Sequence, residues 1–454
     1  MTILAVIGAV LLMVLGVAFS IGWHELGHFL PAKRFGVRVP QFMIGFGPTI
    51  WSRRRGETQY GIKAIPLGGY VRMIGMFPPR AGDAPGTIRA TSTGRFSQLV
   101  DEARSTSLEE VQPGDEDRVF YNLSVPRKLA IMLGGPTMNL ILGIVLLTFS
   151  LTVHGVQEVR PGVVVNGVYE CVVPASDASR TADCTSGLTK TPAYVAGIKP
   201  GDRVVSINGV AMTATADVGA AIRPRVAQST TIVVERDGQQ LTLTATPIRN
   251  TLAEIGDDGQ AVRNADGSLR TVEAGFLGIM SGPVTAYVPQ PISAVPSAVW
   301  DTLGNTAHGI VAVPEKLVGV WGAVTSDAER PIDSPMSVVG VGRVAGEIGA
   351  GQLDWLVGGD TQDKVFALIG LLAMLNFMLF VFNLVPLLPL DGGHVAGALW
   401  EGVKRRWARL RGHPDPGPVD VARALPLAYA VSIALLAMSA LLIYADIVKP
   451  IKLG

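Results

Sequence analysis

Four long apolar runs, roughly Ile3–Trp23, Leu129–Val153, Val365–Leu390 and Ala424–Val448, stand out from an otherwise mixed chain of 454 residues. Each is close to the ~20 residues a helix needs to cross a bilayer core and is almost free of charge. The pattern predicts a polytopic α-helical membrane protein with about four transmembrane helices. A cleaved signal peptide would need a basic leading region and a small-residue cleavage site. Residues 1–20 carry no basic side chain and lead straight into Trp23, His24 and Glu25, so the first run is expected to remain as a mature helix.

Between the runs the periodicity changes. Residues 31–77 read as membrane-associated β-hairpins, with strand-like stretches at Val37–Val39, Gln41–Ile44 and Tyr60–Ile65 broken by glycine turns. Open sheet edges are not tolerated in lipid, so such hairpins should be shielded by helices. The cytoplasmic loop 78–128 is mostly Pro, Gly, Ser, Thr and mixed charge, and its part 78–125 is expected to be loose. Residues 156–285 predict an inserted, compact β-rich domain. Asn208-Gly209 and Asp237-Gly238 mark two hairpin turns there, and a polar insert occupies 250–273. From 286 to 364 helical spacing returns with glycine breaks, which fits an amphipathic membrane-surface extension or an ordinary soluble one. The third span, 365–393, leads into a basic linker, 394–423, and then into the last span, 424–448.

Net charge is only +1, but its distribution sets an orientation. The segment between the first two spans holds about fifteen Lys and Arg against nine acids, and residues 154–364 about fifteen against twenty-two. The linker after span three is basic again, with Lys404, Arg405, Arg406, Arg409 and Arg411. Positive-inside reasoning puts both termini and residues 154–364 outside. The two cysteines, Cys171 and Cys184, fall in that outer segment, where an oxidising compartment permits a disulfide.

The chemistry is concentrated at two span ends. His24-Glu25-Leu26-Gly27-His28 puts two imidazoles on one helical face with a glutamate between them. Ionisable groups at a membrane helix end are expensive enough to be functional by default. A catalytic zinc usually takes three protein ligands and leaves a position open. Asp391, in Asn383-Leu384-Val385-Pro386-Leu387-Leu388-Pro389-Leu390-Asp391-Gly392-Gly393, supplies the third. Spans one and three run in the same direction, so His24, His28 and Asp391 converge on one side. Two imidazoles and a carboxylate also suit non-haem iron. Glu25, an acid/base group suited to hydrolysis, favours zinc. Asn139 and Asn383 are amides inside apolar runs; each could bond a substrate backbone or the catalytic centre, or pin helices together. Gly134 and Gly135 permit close helix approach. His154 and His308 read as surface histidines, and His394 follows Asp391 without ligand character.

These motifs resemble the site-2 protease family of intramembrane zinc metalloproteases, most closely its bacterial branch typified by the regulator-of-sigma-E protease. The likeness rests on His24 to His28, Gly135-Pro136-Thr137-Met138-Asn139 and Asn383 to Gly393. Gly45-Phe46-Gly47-Pro48, Ile65 to Val71 and Ser337-Val338-Val339-Gly340 add to it. The resemblance implies Zn2+ as cofactor and Glu25 as the catalytic acid/base. It also implies that the outer β domain is a PDZ fold, with Gly275-Phe276-Leu277-Gly278-Ile279 as a carboxylate-binding loop. The implied activity is the second cut of regulated intramembrane proteolysis, on single-pass proteins such as anti-sigma factors already trimmed outside. The lipid bilayer is the surrounding partner, no nucleic acid is expected, and the implied location is the bacterial cytoplasmic membrane. A catalytically inert PDZ scaffold and a metal transporter are the alternative classes, and neither would need Glu25.

Overall fold

The computed structural model describes residues 2–79, 107, 110–172, 189–256, 261–264, 268–326 and 328–451. It divides into two units, Met1–His154 with Gln290–Gly454, and Gly155–Pro289. The first unit opens with helix α1, Thr2–Arg34. Its apolar run continues past the ligand motif and ends on Lys33 and Arg34, whose charges complement the helix dipole. Strands β1, Gln41–Arg55, and β2, Thr58–Arg72, pair antiparallel across a turn at Gly56, where φ is +61°. Gln41 faces both Arg72 and Gln59, so the start of β1 lies between two parts of β2. Val37–Val39, expected as a strand, is instead a connector whose valines are buried with Phe29, Phe120 and Leu123.

That cluster corrects part of the loose-loop expectation. The stretch 110–124 is anchored at several points: Val119, Phe120 and Leu123 are buried, and Arg118 donates to both carboxylate oxygens of Glu57 at 2.7 and 2.9 Å. Few large apolar residues suffice here because ion pairs hold the flanks. The rest of the predicted loop, 80–106 and 108–109, lies outside the described residues. Helix α2, Val125–Met132, precedes α3, Gly134–Phe149.

The second unit begins with β3, Val156–Val168. It continues through α4, Pro192–Val195; β4, Arg203–Ile207; β5, Val210–Ala211; α5, Thr215–Ile222; β6, Thr230–Arg236; and β7, Gln239–Ala245. It closes with β8, Ile248–Ala253; β9, Thr271–Phe276; and β10, Ile279–Val288. One sheet has the order β10-β3-β4-β6-β7 with β5 paired to β4. Val163, Val165, Ile232 and Val234 alternate inward from it to form the core, joined by Val204 and Ile207 on either side of a register shift in β4. Both expected turns are present, with positive φ at Asn208, Gly209, Asp237 and Gly238. The polar insert expected at 250–273 is in fact flanked by a hairpin: β8 and β9 pair from Ile248↔Phe276 to Ala253↔Thr271. Of its described polar residues, Arg263, Asn264, Ser268, Arg270, Thr271 and Glu273 are exposed, while Asn250 is buried. Cys171 is buried, and its expected partner Cys184 lies outside the described residues.

The chain then returns to the first unit with α6, Val295–Val311; α7, Val313–Thr325; α8, Val338–Ala350; and α9, Asp354–Val357. Ser337, in the family-like stretch, is the N-cap of α8 and accepts from the amides of Val339 and Gly340. Helix α8 packs on the first half of α1, with Ala345 and Ile348 against Ala9 and Met13. Helices α10, Thr361–Asn383; α11, Asp391–Leu410; and α12, Leu425–Val448, complete the unit. Among the described residues, four helical stretches are long and apolar enough to span a membrane: Ile3–Arg34, Gly134–His154, Thr361–Asn383 and Val421–Val448. His154, expected on the surface, is buried, because its ring stacks on Phe366 at 4.5 Å and lies 3.3 Å from Asp363 Oδ1. His308 is exposed.

Candidate metal centre

Two helices, α1 and α3, are brought together at backbone distance where the motifs meet, and side chains tie α10 to α1. A Cβ on Gly27 of α1 would strike the carbonyl of Gly134 in α3, and one on Gly134 would strike that of Gly27. Only paired glycines permit this crossing. The indole of Trp23 donates to the carbonyl of Met138 at 3.0 Å, and Asn376 of α10 donates to Ser20 Oγ at 2.9 Å. The polar groups of these apolar helices therefore serve as cross-links between them.

At the inner face of this crossing, His24 and His28 lie one turn apart on α1, as their spacing requires. Their Nε2 atoms are 3.2 Å apart, and each is 3.3 Å from Asp391 Oδ2. A tetrahedral site with zinc–ligand lengths of about 2.0–2.1 Å has ligand–ligand edges of about 3.3–3.4 Å, so the triangle has the dimensions such an ion requires. Asp391 Oδ2 is buried without a hydrogen-bond partner, which fits the role of a metal ligand. The remaining imidazole nitrogens face away from the triangle: His28 Nδ1 is 2.8 Å from the carbonyl of Ile131, and His24 Nδ1 is 3.1 Å from the amide nitrogen of Asn139. Among the described residues, His24, His28 and Asp391 are the group that could hold a metal.

Asp391 does not end the third span, as read from the sequence; α10 stops at Asn383 and Asp391 is the first residue of α11. The two prolines keep 384–390 out of the helix. Gly392 and Gly393 let that loop fold back, since a Cβ on either would collide with the backbone at 384–388. Asn383 is half-buried at the end of α10. Glu25, which lies between the two histidines in sequence, is buried and lies under β2, where a Cβ on Gly69 would come within 2.9 Å of Glu25 Cγ. Sequence reasoning missed Gly135: a Cβ there would collide with His28 Nε2 and approach His24 Cε1. Its place in Gly134-Gly135-Pro136 hinted at tight packing, without indicating that the imidazoles were what it packed against.

A family match runs over residues 12–414, to peptidase family M50. The chain belongs to that family. Proteins named zinc metalloprotease Rip1 are similar to it: that of Mycobacterium tuberculosis is 32% identical and that of Mycolicibacterium smegmatis 30%, each over 98% of both chains. Metalloprotease MmpA of Caulobacter vibrioides is 28% identical over 87% of this chain and 86% of its own. The chain is thus a zinc-dependent metallopeptidase of the site-2 type, integral to a membrane. The iron-site, inert-scaffold and transporter readings fall with that assignment.

Proposed function

We propose that His24, His28 and Asp391 hold Zn2+ and that the site hydrolyses a peptide bond within the membrane span of a single-pass protein. The observation that carries this reading is the triangle of ligand atoms with Glu25 beside it. When bound, Zn2+ polarises a carbonyl and makes water more acidic. Glu25 then accepts the proton of the attacking water and delivers it to the departing amide nitrogen. A helical substrate must be unwound first. The closeness of β2 to Glu25 supports presentation as an extended strand added to the β1–β2 sheet, with Asn383 bonding the substrate backbone. Co-expression with candidate single-pass regulators tests this: Glu25→Gln should retain zinc and lose the intramembrane cut by about 10²–10⁴-fold. A cut persisting at wild-type rate would move the acid/base role elsewhere.

The same proposal extends to the substrate class, anti-sigma factors already trimmed outside, and to the bacterial cytoplasmic membrane with residues 154–364 outside. Charge asymmetry supports that orientation. A PDZ fold for the β unit is supported by a cleft of about 300 Å³ lined by Val218, Ile222, Arg223 and Gly275 to Ile279, the segment read as the carboxylate-binding loop. A Cys171–Cys184 disulfide on the outside fits this topology. Deleting about 160–285 should allow cleavage of untrimmed substrate; a folded, zinc-loaded deletion that cleaves neither form would end the gating idea.

A further inference from the structure

Helix α11 is more than a basic linker. One side is fixed to the protein: Ala398 and Glu401 are buried, and Glu401 takes Lys128 Nζ at 2.8 Å, Arg405 at 3.0 Å and the amide of Val419 at 3.1 Å. The other side carries Leu399, Trp400, Val403, Trp407 and Leu410, each more than half exposed. At 3.6 residues per turn these five fall within an arc of about 100°. Exposed Lys404 and Arg411 border one edge of the arc and exposed Arg406 the other. The Arg411 guanidinium lies over the Trp407 ring at 4.3 Å, so its charge sits beside the apolar stripe and is not directed away from it.

We infer that this face of α11 is seated in the headgroup layer of an anionic lipid surface. An apolar stripe with two tryptophans, edged on both sides by long cationic side chains, has the chemistry of an interfacial helix whose bases reach back to phosphate. Position in the chain supports this occupant over a partner protein. Only residues 384–390 separate the helix from α10, and only 411–424 separate it from α12, so both ends are tied to membrane spans. Asp391 is the first residue of α11, and the anchor therefore sets the depth at which the third ligand of the proposed site is held.

The test needs no proteolysis and so stands apart from the proposed activity. Full-length protein is placed in nanodiscs of phosphatidylcholine with phosphatidylglycerol, and its tryptophan emission is compared with that of Trp400→Phe/Trp407→Phe. The emission lost in the variant should be quenched by chain-brominated lipid and not by aqueous iodide. Lys404→Glu/Arg406→Glu/Arg411→Glu should shift that component from bromolipid to iodide quenching. Iodide quenching in the wild type, or shielding from both quenchers as under a protein partner, would overturn the assignment. A triple variant quenched by bromolipid like the wild type would overturn the role of anionic headgroups.

Discussion

The amide nitrogen of Asn139 lies 3.1 Å from His24 Nδ1, on the side of the ring opposite Asp391. An imidazole that ligates through Nε2 carries its proton on Nδ1, so its neighbour there has to accept. Ile131 already offers His28 a carbonyl in this position. Asn139 has an acceptor too, because its Oδ1 is buried without a partner and a half-turn about Cβ–Cγ presents it to His24. Asn139→Leu should therefore weaken zinc binding by about 10–100-fold in chelator competition, and Asn139→Asp should restore most of it. Equal loss in both variants would assign Asn139 to packing alone.

Gly135 gives a second test of the same geometry. Any side chain there meets both imidazoles, so Gly135→Ala should lower zinc content, while Gly143→Ala, whose Cβ would meet the Phe377 ring first, at 3.3 Å, should not. Zinc analysis of the two purified variants separates damage at the site from loosened helix packing. Full zinc occupancy in Gly135→Ala would show that α3 can back away.

The four apolar helices and the convergence of His24, His28 and Asp391 were legible because their signals are local or topological: long apolar runs, an i, i+4 histidine pair, and two spans expected to run in the same direction. What was not legible depends on contacts distant in sequence. Asp391 was read at the end of a span because Leu387, Leu388 and Leu390 prolong the apolar run. The two prolines in fact stop α10 at Asn383. Residues 394–423 were read by charge alone, and the helical spacing of Leu399, Trp400, Val403 and Trp407 passed unnoticed beneath the arginines. His154 looked exposed because nothing near it in sequence announces Phe366 and Asp363, which lie more than 200 residues away.

Lys128 and Glu401 form an ion pair with both side chains almost wholly buried, at 2.8 Å, joining α2 to α11. Burial pushes the Lys128 ammonium below its usual pKa, although Glu401 opposes this. Lys128→Met leaves Glu401 with only Arg405 and one backbone amide. It should cost about 3–5 kcal/mol, seen as a lower unfolding temperature in detergent. Lys128→Met/Glu401→Leu should recover part of the loss, because no uncompensated charge then stays buried. A double variant less stable than the single would mean that Glu401 acts mainly through Arg405 and Val419.

In the β unit, Asp202 joins the ends of two strands. Arg236 donates to its two carboxylate oxygens at 2.6 and 2.7 Å, and the amide of Lys199 adds a third bond at 2.9 Å. Burial pushes the Asp202 carboxyl up, but these bonds outweigh it and hold the group below the usual carboxylate range. A carboxylate whose folded pKa is depressed contributes stability that is complete above its unfolded pKa of about 3.9 and is lost as pH falls toward the folded value. Amides of β4 and β6 in the full-length protein should therefore keep constant hydrogen-exchange protection, corrected for intrinsic rate, from pH 7 to about pH 5, and lose it below about pH 4. Asp202→Asn should start with lower protection at pH 7 and show a shallower decline in acid, since the group that binds the extra proton on unfolding is gone. Parallel acid profiles for the two proteins would assign the decline to other carboxylates and leave Asp202 as a hydrogen-bonding tie without a role in acid sensitivity.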